Sequence, residues 1–128
     1  MSKVLENLNY AKTHEWADFI NDATVRIGIS DFAQHELGDL VFVNLPGVGD
    51  TVTAGDAFGD VESVKAVSDI MSPVTGVVSA VNQDVIDNPE SINENPYGSW
   101  FIEVTDITAK SGLMTAAEYS DFCEKGGH

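Results

Sequence analysis

The stretch Glu62-Ser63-Val64-Lys65-Ala66-Val67-Ser68-Asp69, followed by Ser72-Pro73-Val74-Thr75-Gly76, organises the rest of the chain. On its N-terminal side, Ala57 to Ser63 reads as a strand, and on its C-terminal side Val67 to Met71 reads as a second. Only a tight turn separates the two, so the stretch is a hairpin with Lys65 at its tip. The flanking segments echo one another: Val48-Gly49-Asp50-Thr51-Val52 is followed by Ala54-Gly55-Asp56-Ala57-Phe58. The Gly-Asp pairs suit places where the chain turns hard and a carboxylate caps the turn. Two such halves leave residues 57–72 as a protruding hairpin between them.

Working outward, Thr24 to Ile29 alternates, with Val25, Ile27 and Ile29 on one face. Ser30 is placed to cap a short helix, Asp31 to Leu37, which Gly38 ends. Leu40 to Leu45 is a mostly apolar strand stopped by Pro46-Gly47, and Val74 to Val81 is another, bent at Gly76. Asn82 to Asn95 is polar and rich in Asn, Asp and Pro; it reads as a connection. Trp100 to Val104 reads as the last strand. In the tail, Thr115-x-x-Glu118 fits a capping box that opens a helix over 115–124, and Gly126-Gly127-His128 is expected to fray. Many short strands at regular spacing, with no linker, predict one domain over 1–128 built as a small antiparallel sandwich or barrel.

Composition narrows the function. The 128 residues include 6 basic and 21 acidic side chains, a net charge of −15, which repels nucleic acid and anionic membranes and favours partners with basic docking faces. No run of about 18 apolar residues is present, so no membrane-spanning helix is expected. The lone Cys123 forms no internal disulfide and fits a reducing cytosol, whereas a processed eukaryotic form would fit the mitochondrial matrix. His14, His35 and His128 are scattered, and neither His14-Glu15 nor His35-Glu36 has a second histidine four residues after the first, so no metal site is expected. There is no phosphate-binding loop, no dinucleotide fingerprint and no nucleophile elbow, and Cys123 has no evident base. No self-sufficient active site is expected. Of the five lysines, Lys65 alone lies mid-chain, accessible at a hairpin tip, where an enzyme can attach a cofactor to the amine. From spacing alone, a solvated charge relieving an acidic surface is the better explanation.

The wider pattern resolves the choice. The 62–69 segment with Ser72 to Gly76 resembles the lipoyl-attachment segment of the H protein of the glycine cleavage system. Tyr10-Ala11-Lys12-Thr13-His14-Glu15-Trp16 is similar to that family's opening strand, and Gly28 to Asp39 to its first helix. Val41 to Pro46, Val48-Gly49-Asp50, Ile92 to Tyr97 and the Trp100 strand follow in the family's order. Asn44 departs from it, standing where an acidic residue is usual.

The resemblance implies a mainly β fold, the lipoyl/biotinyl-type barrel-sandwich hybrid of two small antiparallel sheets with short peripheral helices and a C-terminal helix. It implies a carrier and not a catalyst. Lipoic acid would be joined covalently to Lys65, making the surface one unit more negative, within an attachment hairpin formed by Glu62, Ser63, Val64, Ala66 and Asp69. The implied partners are a pyridoxal phosphate-dependent glycine decarboxylase, a tetrahydrofolate-dependent aminomethyltransferase, a flavin-dependent dihydrolipoamide dehydrogenase and a lipoate-attaching enzyme. A cleft beside the opening strand would shelter the loaded arm, with Thr13 and Glu15 at the matching positions, Asp69 nearby and His35 as a wall. Tethering makes each delivery local, and the acidic surface suits short-lived docking. Rival readings keep the fold and change the cargo or pathway. A biotin acceptor usually has Met on both sides of the lysine, where this chain has Val64 and Ala66. A lipoyl domain of an oxoacid dehydrogenase usually has Asp before the lysine and no tail helix. An H-like relative that relays lipoyl groups to other proteins is a third rival. A small hydrolase built on scattered carboxylates is a fourth.

Overall fold

The computed structural model describes residues 3–127. Its strands are β1 (Asn9–Tyr10), β2 (Glu15–Asn21), β3 (Thr24–Ile29), β4 (Leu40–Asn44), β5 (Thr51–Val52), β6 (Ala57–Ser63), β7 (Val67–Met71), β8 (Val74–Val81) and β9 (Ile102–Lys110). Four short helices accompany them: α1 (Asp31–Leu37), α2 (Gln83–Asp87), α3 (Glu90–Glu94) and α4 (Ala116–Glu124). Antiparallel pairing gives a six-stranded sheet, β1-β2-β3-β9-β8-β5, and a three-stranded sheet, β4-β6-β7. This is the mainly β hybrid of two sheets expected from the sequence.

The alternating side chains meet between the sheets. Val25, Ile27, Val78 and Val104 of the larger sheet pack with Val43, Val61 and Ile70 of the smaller one in a single buried cluster. Burying such side chains contributes roughly 1.5–3 kcal/mol each, which is what holds two small sheets face to face. The turn chemistry is also as read: Gly49 and Gly55 both take positive φ (95° and 88°), and an Asp50 carboxylate oxygen accepts the Gly47 N–H at 2.8 Å. A second cluster, Leu8, Tyr10, Trp16 and Tyr119, joins α4 to the opening hairpin. There the Tyr10 and Tyr119 rings stack 4.3 Å apart and nearly parallel. Helix α4 starts with the reciprocal Thr115–Glu118 capping box.

The structure differs from the sequence reading in four places. The polar 82–95 segment contains α2 and α3, each five residues long, which bury Val85 and Ile92. The last strand begins at Ile102 rather than Trp100 and runs on to Lys110; Asp106 takes φ 53° where the β8–β9 register slips between Val77 and Thr75. The opening strand is broken into β1 and β2 by a tight loop at Lys12 to His14. Finally, Gly126 and Gly127 do not fray: the Gly127 N–H donates to Phe122 O at 3.0 Å and Gly127 is buried. His128 lies outside the described residues.

Candidate functional site

Strands β6 and β7 project Lys65 at their turn, and the turn is held by one side chain. Val64 and Lys65 keep negative φ, the non-glycine positive values among the described residues being at His14 and Asp106. A β-branched valine disfavours the mirror-image turns that ordinarily close a two-residue hairpin. Ser63 compensates. Its backbone N–H donates to Ala66 O at 2.8 Å, and its Oγ accepts the Ala66 N–H at 3.0 Å and the Lys65 N–H at 3.3 Å. The hydroxyl thus takes amide bonds that the Ser63 carbonyl leaves open.

The tip is also tethered from outside the hairpin. The Val64 N–H donates to Asp39 O at 3.3 Å. The loop carrying Asp39 is fixed by Asn93 of α3, whose Oδ1 accepts the Leu40 N–H and whose Nδ2 donates to Gly38 O, both at 2.9 Å. The Lys65 stem lies along Gly38, its Cε 3.4 Å from where a Cβ would stand. Among the described residues no ion pair holds the Lys65 ammonium group. Around the tip, Val64 and Val67 are 76% and 65% exposed, and Val41 and Phe42 of β4 are 54% and 51% exposed. Glu62 sits between Phe42 and Val67 in register, while Asp69 lies opposite Asp60, whose Oδ1 accepts from Asn44 Nδ2 at 2.6 Å. The exposed side of the small sheet is therefore apolar near the lysine and acidic further along, with a neutral amide where a third carboxylate would crowd Asp60 and Asp69.

At the far end of β7 is a cleft of about 210 Å³, lined by Ala11, Thr13, Glu15, Met71 and Gly112 among others. Glu15 is 2% exposed. Its two oxygens accept from the Thr13 hydroxyl and, at 3.0 Å, from the Met71 N–H. Burial pushes the Glu15 carboxyl up to about 7, and the two donated bonds only partly oppose the shift. A carboxylate held near neutrality at the wall of a mainly apolar cleft is equipped to pair with an ammonium group. The cleft thus brings Thr13 and Glu15 together. His35 stands on α1 with its Nε2 3.5 Å from Asp31 Oδ2, and neither His35 nor Asp69 is among the residues lining the cleft. Sequence reasoning missed the Met71 N–H, Asp39 O and Asn93. The first two are backbone groups, and Asn93 acts across the fold, so no local pattern marks them.

Comparison with known proteins bears on this arrangement. The family model described as glycine cleavage H-protein matches residues 8–126. The chain belongs to the glycine cleavage H-protein family. It is 54% identical over 123 residues to the glycine cleavage system H protein of Lachnoclostridium phytofermentans, covering 96% of this chain and 97% of that one. It is 48% identical to the probable glycine cleavage system H protein of Pyrococcus horikoshii, with 94% and 92% covered. Among solved structures, the glycine cleavage system H protein of Mycobacterium marinum superposes with a TM-score of 0.89 at 42% identity, covering 94% of this chain and 99% of that one. The family is a non-catalytic carrier family known to carry lipoate, which sets aside the biotin-acceptor and hydrolase readings. Among the described residues no helix is long and apolar enough to cross a membrane, and no cluster of side chains could hold a metal ion.

Proposed function

We propose that Lys65 carries lipoic acid in amide linkage, and that the chain is the carrier subunit of a cytoplasmic glycine cleavage system. It would serve the decarboxylase, the aminomethyltransferase and the dihydrolipoamide dehydrogenase in turn, after modification by a lipoate-attaching enzyme. The observation that carries this reading is the position of Lys65: a single accessible amine on a turn pinned by Ser63 and Asp39 O. The residues present fit the group. The tip exposes the amine, and the cleft at Met71 offers apolar walls with a carboxylate among them. Met71 lies four residues beyond Val67, about 13 Å along an extended strand, within reach of a lysine stem lengthened by the lipoyl chain.

When bound, lipoate supplies a disulfide that takes up the aminomethyl group on one sulfur as it is reduced. This chain contributes position and shelter. Ser63 fixes the backbone from which the arm swings, with Glu62, Val64, Ala66 and Asp69 forming the attachment hairpin around it. In the cleft, Glu15 would pair with the protonated amine of the cargo and Thr13 would orient the carboxylate. Arrival of the ammonium group draws Glu15 to its charged form. His35, on the exposed side of α1, pairs with Asp31 and has no part in the cleft.

Intact mass of the chain purified from its own host, with fragmentation around Lys65, tests the attachment. One lipoyl group is expected at Lys65 and none in Lys65→Arg. A biotin mass, or an unmodified lysine in a host that lipoylates its other proteins, would overturn the proposal.

A further inference from the structure

We infer that the C-terminal tail, Lys125 to Gly127, is a clamp that positions the arm cleft, and that it acts through His14. The inference rests on the cleft reading above. It begins with the β1–β2 loop. The Ala11 N–H donates to Glu15 O and the His14 N–H to Ala11 O, both at 2.9 Å. His14 takes φ 78°. This is a three-residue hairpin loop whose last residue adopts the left-handed conformation, a position that ordinarily takes glycine. A histidine there is strained by about 1–2 kcal/mol, so something must hold its ring.

Three elements do. His14 Nδ1 meets the Tyr119 hydroxyl of α4 at 2.7 Å, and that hydroxyl is 2.6 Å from Ser30 Oγ, the cap of α1. His14 Nε2 is 3.0 Å from Gly127 O. A carbonyl only accepts, so Nε2 carries a proton and donates to the tail. The ring also stacks on Phe32 at 4.6 Å. Beyond α4, Gly126 and Gly127 take positive φ (108° and 73°), which turns the chain back so that Gly127 enters the crevice between Phe32 and His14. A Cβ on Gly127 would stand 2.7 Å from Phe32 Cζ and 3.2 Å from His14 Cε1. The crevice accepts a bare backbone and nothing larger.

Thr13 and Glu15 flank this anchored residue. Thr13 is exposed at the loop's tip, where its backbone is set by the loop that His14 closes and its hydroxyl donates to Glu15. With the ring seated, the hydroxyl rests on Glu15. Without the tail, the strained backbone can relax and carry Thr13 away. His14 is thus a positioning residue, and the tail is its latch.

The test uses lipoylated full-length chain whose reduced arm has been loaded with formaldehyde and ammonium, with ammonia release followed in time. Deletion of 126–128 and the His14→Gly variant are each made in the parent and in the Glu15→Gln background. Glycine suits φ 78°, so His14→Gly keeps the hairpin while removing the anchor. Either change should speed release roughly three- to tenfold in the parent and add nothing to Glu15→Gln, as expected of groups acting through one carboxylate. In protein without lipoate, the heteronuclear NOE of the Thr13 amide should fall in both variants. Unchanged release on deletion, with Glu15→Gln still accelerated, would sink the latch and spare the cleft. Equal acceleration in both backgrounds would show general loosening and overturn it too. If Glu15→Gln itself changes nothing, the cleft reading fails and takes the latch with it.

Discussion

Replacing Glu15 by Gln should make the protein more stable at alkaline pH while impairing its cleft. The amide can keep both contacts: its oxygen accepts the Met71 N–H and its nitrogen donates to Thr13 Oγ. What it removes is the ionisation of a buried carboxyl. That carboxyl titrates at about 7 in the fold against 4.5 for the unperturbed side chain, with burial as the leading cause. Between these values the folded chain holds a proton that the unfolded chain has released. Stability from this group is therefore full below pH 4.5 and is lost as pH rises through 7. At 1.36 kcal/mol per pH unit the loss amounts to about 3 kcal/mol, on the order of 10 °C in melting temperature for a domain of this size. Thermal melts of parent and Glu15→Gln from pH 4 to pH 9 measure it. The two proteins share every other ionisable group, so the difference isolates Glu15. The two should coincide near pH 4, the variant should pull ahead between pH 4.5 and 7, and the gap should hold constant above pH 7. Parallel curves over the whole range would mean that Glu15 is not held protonated by burial, and the account of the cleft's electrostatics would be wrong.

Two further outcomes concern the scaffold. Gly59→Ala should cost about 2–3 kcal/mol in urea unfolding, because its Cβ would stand 2.2 Å from the Asn44 carbonyl oxygen, which belongs to backbone and cannot swing aside. Thr115→Ala removes the hydroxyl that accepts the Glu118 N–H, keeps the backbone N–H that donates to the Glu118 carboxylate, and should lower stability by about 1 kcal/mol while leaving the proposed lipoyl mass at Lys65 unchanged.

Features set by neighbours in sequence were legible before the structure. The alternation of Val25, Ile27 and Ile29, the Ser30 cap, the hairpin strands on either side of Lys65 and the Thr115–Glu118 box each state a local preference that the fold keeps. Helices α2 and α3 were not legible, because five residues are too few to display a helical period and their anchors are the single side chains Val85 and Ile92. The run of β9 past Val104 was hidden by its polar composition and by the kink at Asp106. In the candidate site, Lys65 was conspicuous by isolation, and Thr13 and Glu15 came from resemblance. The Met71 amide and the Asp39 carbonyl belong to the backbone, which a sequence does not differentiate. The seating of Gly127 against His14 joins residues 113 positions apart, and it overrode an expectation drawn from chain-end mobility alone.

The pinning of the Ser63–Ala66 turn from both sides separates two kinds of motion. The backbone at the tip is a stationary hub, tied by Ser63 Oγ within and by Asp39 O from without. All travel then falls to rotation about the single bonds of the Lys65 side chain and whatever it bears. Such rotations take picoseconds to nanoseconds, whereas hinge motions of a loose hairpin would take microseconds or longer. A free arm therefore sweeps faster than any hinge motion of the hairpin could carry it. The exposed Val41, Phe42, Val64 and Val67 surround this hub, so a surface that covers them meets the arm at a fixed origin and not at a moving one.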